Sequence, residues 1–165
     1  MIKNIVWTTG LCIIAGILQS TLIGRIAIIN VIPDLALCIL VYSAYINGTM
    51  TGQTSGFFSG ILLDFLSAAP LGMNSLFRTL IGAFTGLFRG AFFLDGFFMP
   101  VILCTMATFL KAVILLLLNL IFGPAVPSYS FTSYVFWLEL GMNVLCAPLL
   151  FYLLKKIKYL SGERR

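Results

Sequence analysis

The chain has 165 residues, of which 61% are hydrophobic and 9% charged, against roughly 45–50% and about 25% in soluble domains. Ten Lys and Arg and five Asp and Glu, at a mean hydropathy of +1.10, cannot coat an 18.1 kDa globule, which excludes a soluble protein; disorder is excluded because it needs low hydrophobicity. There is no histidine and no acidic cluster, so His-based catalysis and most metal chemistry are excluded too, and an all-α, polytopic membrane protein remains.

A helix that crosses a ~30 Å hydrocarbon core needs about 20 apolar residues. The first such run covers about 5–24 and is ended by Arg25. The second, about 31–46, carries Pro33 in its first turn, where a missing N–H costs nothing, and Asp34 at the positive helix end. The third, 52–67, is shorter and more polar, and the turn Ala68-Ala69-Pro70-Leu71-Gly72 follows it. The fourth covers 73–89, before a loop holding Asp95. The fifth, 98–122, is the most apolar, and a loop with Pro124 and Pro127 leads to the sixth, 131–154, which contains Pro148. Six spans and a basic tail at 155–165 make one integral membrane domain over 1–165, without a linker or low-complexity tract. The N-terminal run is long enough to span and has no cleavage region after it, so it is not read as a cleaved signal.

With six spans both ends share one side, which holds Lys3, Arg89, Lys155, Lys156, Lys158, Arg164 and Arg165, against Arg25 alone on the other. The excess of Lys and Arg places both ends in the cytoplasm. The tail reads as a topology anchor, with contact to anionic membrane lipid as the alternative. Cys12, Cys38, Cys104 and Cys146 are widely spaced inside apolar runs and form no CxxC; they read as small apolar packers.

Gly48, Gly52, Gly56 and Gly60 recur four apart, and Gly82, Gly86 and Gly90 repeat the spacing in the next span. Residues four apart keep nearly one helix face, and small residues there let backbones approach closely in lipid. The two ladders, Gly52, Gly56 and Gly60 against Gly82 and Gly86, predict a tight hairpin; the alternative is a homodimer face. One rung beyond Gly60 is Asp64, and Arg78 precedes Gly82. Around a turn at 68–71 their heights differ by about 4–5 Å at ~1.5 Å per residue, within reach of an Arg side chain, which predicts an Asp64–Arg78 pair. Lys111 and Glu139 lie inside the fifth and sixth spans. A charge at the bilayer centre costs on the order of 3 kcal/mol, so each must face protein or water. Asp64, Arg78, Lys111 and Glu139 thus read as internal pairs or as a polar pocket or partner socket, with Asn143 one turn from Glu139. Arg25 and Asp34 also cancel in charge. No phosphate-binding glycine loop occurs, and no catalytic residue, cofactor site, metal site or nucleic-acid partner is expected.

The stretch Val31-Ile32-Pro33-Asp34-Leu35, the Gly-x-x-x-Gly run, the block Gly60-Ile61-Leu62-Leu63-Asp64-Phe65-Leu66-Ser67-Ala68-Ala69-Pro70-Leu71-Gly72 and then Thr79-Leu80-Ile81-Gly82 resemble the family of the rod shape-determining protein MreD. Pro33, Asp34, Asp64, Pro70, Leu71 and Gly72 carry the family pattern, whereas Lys111 and Glu139 fall on no family motif. The resemblance implies a non-enzymatic protein of the bacterial inner membrane, with a six-helix fold similar to the substrate-binding S-components of ECF vitamin transporters. It also implies partners: MreC, the actin-like MreB, RodA and a transpeptidase, which together direct lateral peptidoglycan synthesis and cell shape.

The reading that follows is a membrane scaffold of the elongation complex that binds MreC. The alternative is a small-molecule-binding module such as an S-component. For that module the outer-half charges with Tyr129, Tyr134, Phe136 and Trp137 would form the pocket, although aromatics at a span end also make interfacial belts. An enzyme or proton-coupled transporter using Asp64 and Glu139 is the weakest reading.

Overall fold

The computed structural model describes residues 2–21, 31–67, 70–91, 98–123, 126, 129 and 131–157; Arg25, Ala68, Ala69, Asp95, Pro124, Pro127 and the tail beyond Ile157 lie outside them. Every element among the described residues is an α-helix: α1 (Ile2–Thr21), α2 (Leu35–Asn47), α3 (Thr49–Leu66), α4 (Met73–Leu87), α5 (Phe98–Phe122) and α6 (Tyr134–Lys155). The chain is an all-α membrane protein. By length and composition α1, α5 and α6 suffice to cross a membrane, while α2 is apolar but only 13 residues long. At about 1.5 Å per residue α2 extends only about 20 Å. The more polar α3, with its Gly, Ser and Thr residues, and the 15-residue α4 do not reach that standard.

The short helix is the centre of the bundle. Residues 36–45 of α2 are all buried, and Leu37, Leu40, Val41 and Tyr42 pack into the core with Cys12, Phe77, Ile81, Leu103 and Phe151. A helix apolar on all sides is one that neighbours enclose. The outer helices instead turn large apolar side chains outward, among them Phe57, Phe65, Leu117, Leu120 and Leu145, the surface a lipid solvent requires. Cys12, Cys38, Cys104 and Cys146 are free thiols within helices.

One residue, Gly48, separates α2 from α3. It has φ 92° and ψ 177°, a region essentially reserved for glycine. Its N–H donates to Ala44 O at 2.8 Å while its carbonyl accepts from Gly52 N at 3.0 Å. The chain therefore reverses with both backbone groups of Gly48 paired, and the start of α2 returns beside the end of α3.

The most extensive helix contact joins α3 to α4. A Cβ built on Gly52 would come under 3.0 Å from Gly82 O, one on Gly56 from Arg78 O, and one on Gly60 from the Ser75 backbone. From the other side, Gly82 meets Gly52 O and Gly86 meets the Thr49 backbone. Such approach maximises dispersion contacts, the main favourable term between helices in lipid. Gly90, the outermost expected rung, is off this seam: nothing lies within 4 Å of its would-be Cβ, and its φ is +73°.

Candidate functional site

The end of the bundle that gathers the start of α2, the end of α3 and the starts of α4 and α6 holds the buried charges. Asp34 caps α2: its Oδ1 accepts from Leu37 N at 2.9 Å, satisfying one of the orphan N–H groups of the first turn. The helix accordingly begins at Leu35, and Pro33 lies just before the cap rather than in the first turn. The Pro33 carbonyl and the Ala36 N–H are both held by the Gln19 amide of α1, at 2.7 and 3.1 Å.

From this cap a network of ion pairs extends across four helices. Arg78 Nη2 of α4 lies 2.9 Å from Asp34 Oδ1, and Lys111 Nζ of α5 lies 3.0 Å from Asp34 Oδ2. Lys111 also reaches Glu139 Oε1 of α6 at 2.6 Å. Tyr129 OH donates to the other Glu139 oxygen. Asn143, one turn below Glu139, accepts from Asp34 N at 2.7 Å and donates to Thr108 Oγ1 at 3.1 Å. The Phe77 ring backs both cations, 5.4 Å from the Arg78 guanidinium carbon and 5.7 Å from Lys111 Nζ. The two carboxylates and two cations cancel in charge, and each carboxylate oxygen accepts from a donor. A buried charge is tolerated on those terms, since breaking one partner of such a pair costs roughly 3–5 kcal/mol.

The expected Asp64–Arg78 pair does not form. Asp64 instead binds the start of α4: Oδ2 accepts from Gly72 N at 2.9 Å and Ser75 N at 3.3 Å, and Oδ1 accepts from Asn74 N and Asn74 Nδ2, both at 2.9 Å. The physical reason lies in the cap. Position 72 at the N-cap of α4 is glycine, in left-handed conformation and without a capping side chain. The open N–H groups and the positive end of the helix dipole therefore take the nearest carboxylate. Arg78, one turn further along α4, finds Asp34 across the bundle. Of the four charges singled out from sequence, Arg78, Lys111 and Glu139 thus share one network. Asp64 caps the adjacent helix, and Asp34 takes the central place among the charges.

Above the network is a cleft of about 270 Å³. Its walls include Gln19 of α1, Leu63 of α3 and Asn74 of α4, and Asp34, Arg78, Lys111 and Glu139 line it as well. Of the aromatics near the start of α6, Tyr129 joins the network and Phe136 is fully buried, stacked edge-on with Phe109 and Phe131. Tyr134 and Trp137 face outward. Tyr129 and Asp34 are the residues whose place in the network the sequence did not assign. The available signal for Asp34 was its N-cap position, which buries a carboxylate at the depth of the embedded cations.

The family model of the rod shape-determining protein MreD matches residues 1–157. No curated protein and no solved structure was found to match the chain. With nearly its whole length matched, the chain belongs to the MreD family of rod shape-determining proteins.

Proposed function

We propose that this member of the MreD family is a non-enzymatic scaffold of the elongation complex in the bacterial inner membrane, binding MreC. In this reading the chain crosses the membrane six times with both termini cytoplasmic. Through MreC it acts with MreB, RodA and a transpeptidase in lateral peptidoglycan synthesis. The observation that carries the reading is the family match over residues 1–157.

Two structural features support it. The carboxylate oxygens of Asp34 and Glu139 are engaged by donors in a charge-neutral network, which suits a rigid frame better than a proton relay. The contact surface on offer is made of helix faces with outward apolar residues such as Phe57, Leu117 and Leu145, and a transmembrane partner helix packs on such faces.

Depletion in a rod-shaped host tests the proposal. Cells should round up, and MreC should be recovered with the tagged protein from mild detergent before depletion. Cells that keep their shape and lose uptake of one nutrient would favour the small-molecule-binding module instead.

A further inference from the structure

We infer that the cleft above the ion-pair network is a binding site for an oxyanion, a carboxylate or phosphate group, with Arg78 as its principal ligand. The cleft, about 270 Å³ in volume, has Asp34, Arg78, Lys111 and Glu139 among its lining residues. Arg78 is 4% exposed, yet its Nε and Nη1 have no hydrogen-bond partner. A guanidinium carries five N–H donors. With only Nη2 engaged, by Asp34, three N–H bonds on Nε and Nη1 lack an acceptor. Buried polar groups are nearly always satisfied, and a charged donor left bare is the costliest exception.

The balance of donors and acceptors around the cleft gives the ligand its chemistry. The Asp34 and Glu139 oxygens already accept from Leu37 N, Arg78, Lys111 and Tyr129. The Gln19 amide is engaged by Pro33 and Ala36, and the Asn74 amide donates to Asp64 and Ser67. Arg78, which lines the cleft, therefore carries surplus donors that lie buried just beneath its wall. A ligand that brings acceptor oxygens satisfies them, and guanidinium favours oxyanions. The cleft volume equals about nine water-sized shares of ~30 Å³, room for one small anion or one headgroup but not for a folded partner. The same chemistry is available from a free anion or from a phospholipid headgroup.

Thermal unfolding of the full-length protein in dodecyl maltoside decides the matter. Phosphate and acetate are titrated at constant ionic strength against chloride in one arm. In the other, phosphatidylglycerol is compared with monoglucosyldiacylglycerol, which carries no phosphate. A saturable rise in Tm of roughly 3 °C or more at tenfold excess over Kd is expected in at least one arm. A rise in the first arm identifies a free-anion site, and one with phosphatidylglycerol alone a headgroup site. Arg78→Lys keeps a cation for Asp34 but loses the planar guanidinium fork that holds an oxyanion bidentately, leaving a compact ammonium, and should shrink the rise sharply. Ser20 lines the cleft and its hydroxyl bonds Ile17 O rather than a charge, so Ser20→Trp adds bulk at the wall and should abolish the rise even if Arg78→Lys fails to fold. No rise in either arm, or a rise that persists in Ser20→Trp, overturns the assignment and leaves the cleft to water.

Discussion

Arg78 Nη2 meets Asp34 Oδ1 at 2.9 Å across 44 residues of sequence, although Asp64 is nearer in the chain and on the facing helix of its own hairpin. The choice is made by the start of α4. Four hydrogen bonds from Gly72, Asn74 and Ser75 occupy Asp64, while Asp34 faces Arg78 and Lys111 together.

Coupling between substitutions should follow this partition. Asp34→Ala and Arg78→Ala each leave a buried charge short of a partner, for a loss of roughly 3–5 kcal/mol. The double variant should lose at least 1 kcal/mol less than the sum of the singles, because residues in one network couple. Asp64→Ala with Arg78→Ala should instead add to within about 0.5 kcal/mol. Unfolding in mixed micelles measures all five variants, and strong coupling of position 64 to 78 without coupling to 34 would contradict the geometry.

Asp64 has its own expected signature. Asp64→Ala uncovers the amides of residues 72, 74 and 75 at the start of α4, and loss of a cap costs about 0.5–2 kcal/mol. Hydrogen exchange at those amides should accelerate well beyond that of amides in the middle of α4. Asp64→Asn keeps an acceptor oxygen and should fall between wild type and Ala. Unchanged exchange at residues 72–75 in Asp64→Ala would remove the capping role.

How far the sequence discloses this arrangement depends on whether a feature is local or crosses the bundle. The glycine seam is legible because a spacing of four is a helical property that can be read without knowing the partner: Gly52, Gly56, Gly60, Gly82 and Gly86 each meet backbone of the facing helix. The helix starts are legible to within a few residues because apolar runs and the breaks between them are local too. Which cation meets which carboxylate is not local. Asp34, Arg78, Lys111 and Glu139 come from four helices, and their meeting depends on helix rotation, which hydropathy does not encode in a chain apolar on most faces. The signal for Asp64 was nevertheless present in the absence of any Ser, Thr, Asp or Asn at position 72, a helix start in need of a remote acceptor.

The seam itself can be tested with an internal control. Leu at Gly56 or Gly86 places a branched side chain where a Cβ alone would come under 3.0 Å from Arg78 or Thr49 backbone. Folded yield in detergent should drop sharply for both variants, because the helices must separate and forfeit their dispersion contacts. Gly10→Leu and Gly141→Leu meet nothing within 4 Å at Cβ and should give near wild-type yield. Equal yields for all four would mean that α3 and α4 do not pack backbone to backbone.

The proposed orientation places the ion-pair end of the bundle outside and the glycine turn at Gly48 inside, because the Lys and Arg bias puts both termini in the cytoplasm and alternating helices put the start of α2, the end of α3 and the start of α4 together. Alkaline phosphatase fused after Arg165 should then be inactive, whereas a reporter that works in the cytoplasm should function there. Cysteine labelling provides a second measure. Leu71 is 73% exposed at the ion-pair end and Leu87 is 71% exposed at the other, while native Cys12, Cys38 and Cys104 are buried and Cys146 is half-buried. A membrane-impermeant maleimide applied to intact spheroplasts should therefore label Leu71→Cys strongly and Leu87→Cys no more than wild type. After the membrane is opened both should label. Labelling of Leu87→Cys but not Leu71→Cys in intact spheroplasts, with an active phosphatase fusion, would invert the protein and move the Arg78 cleft to the cytoplasmic side.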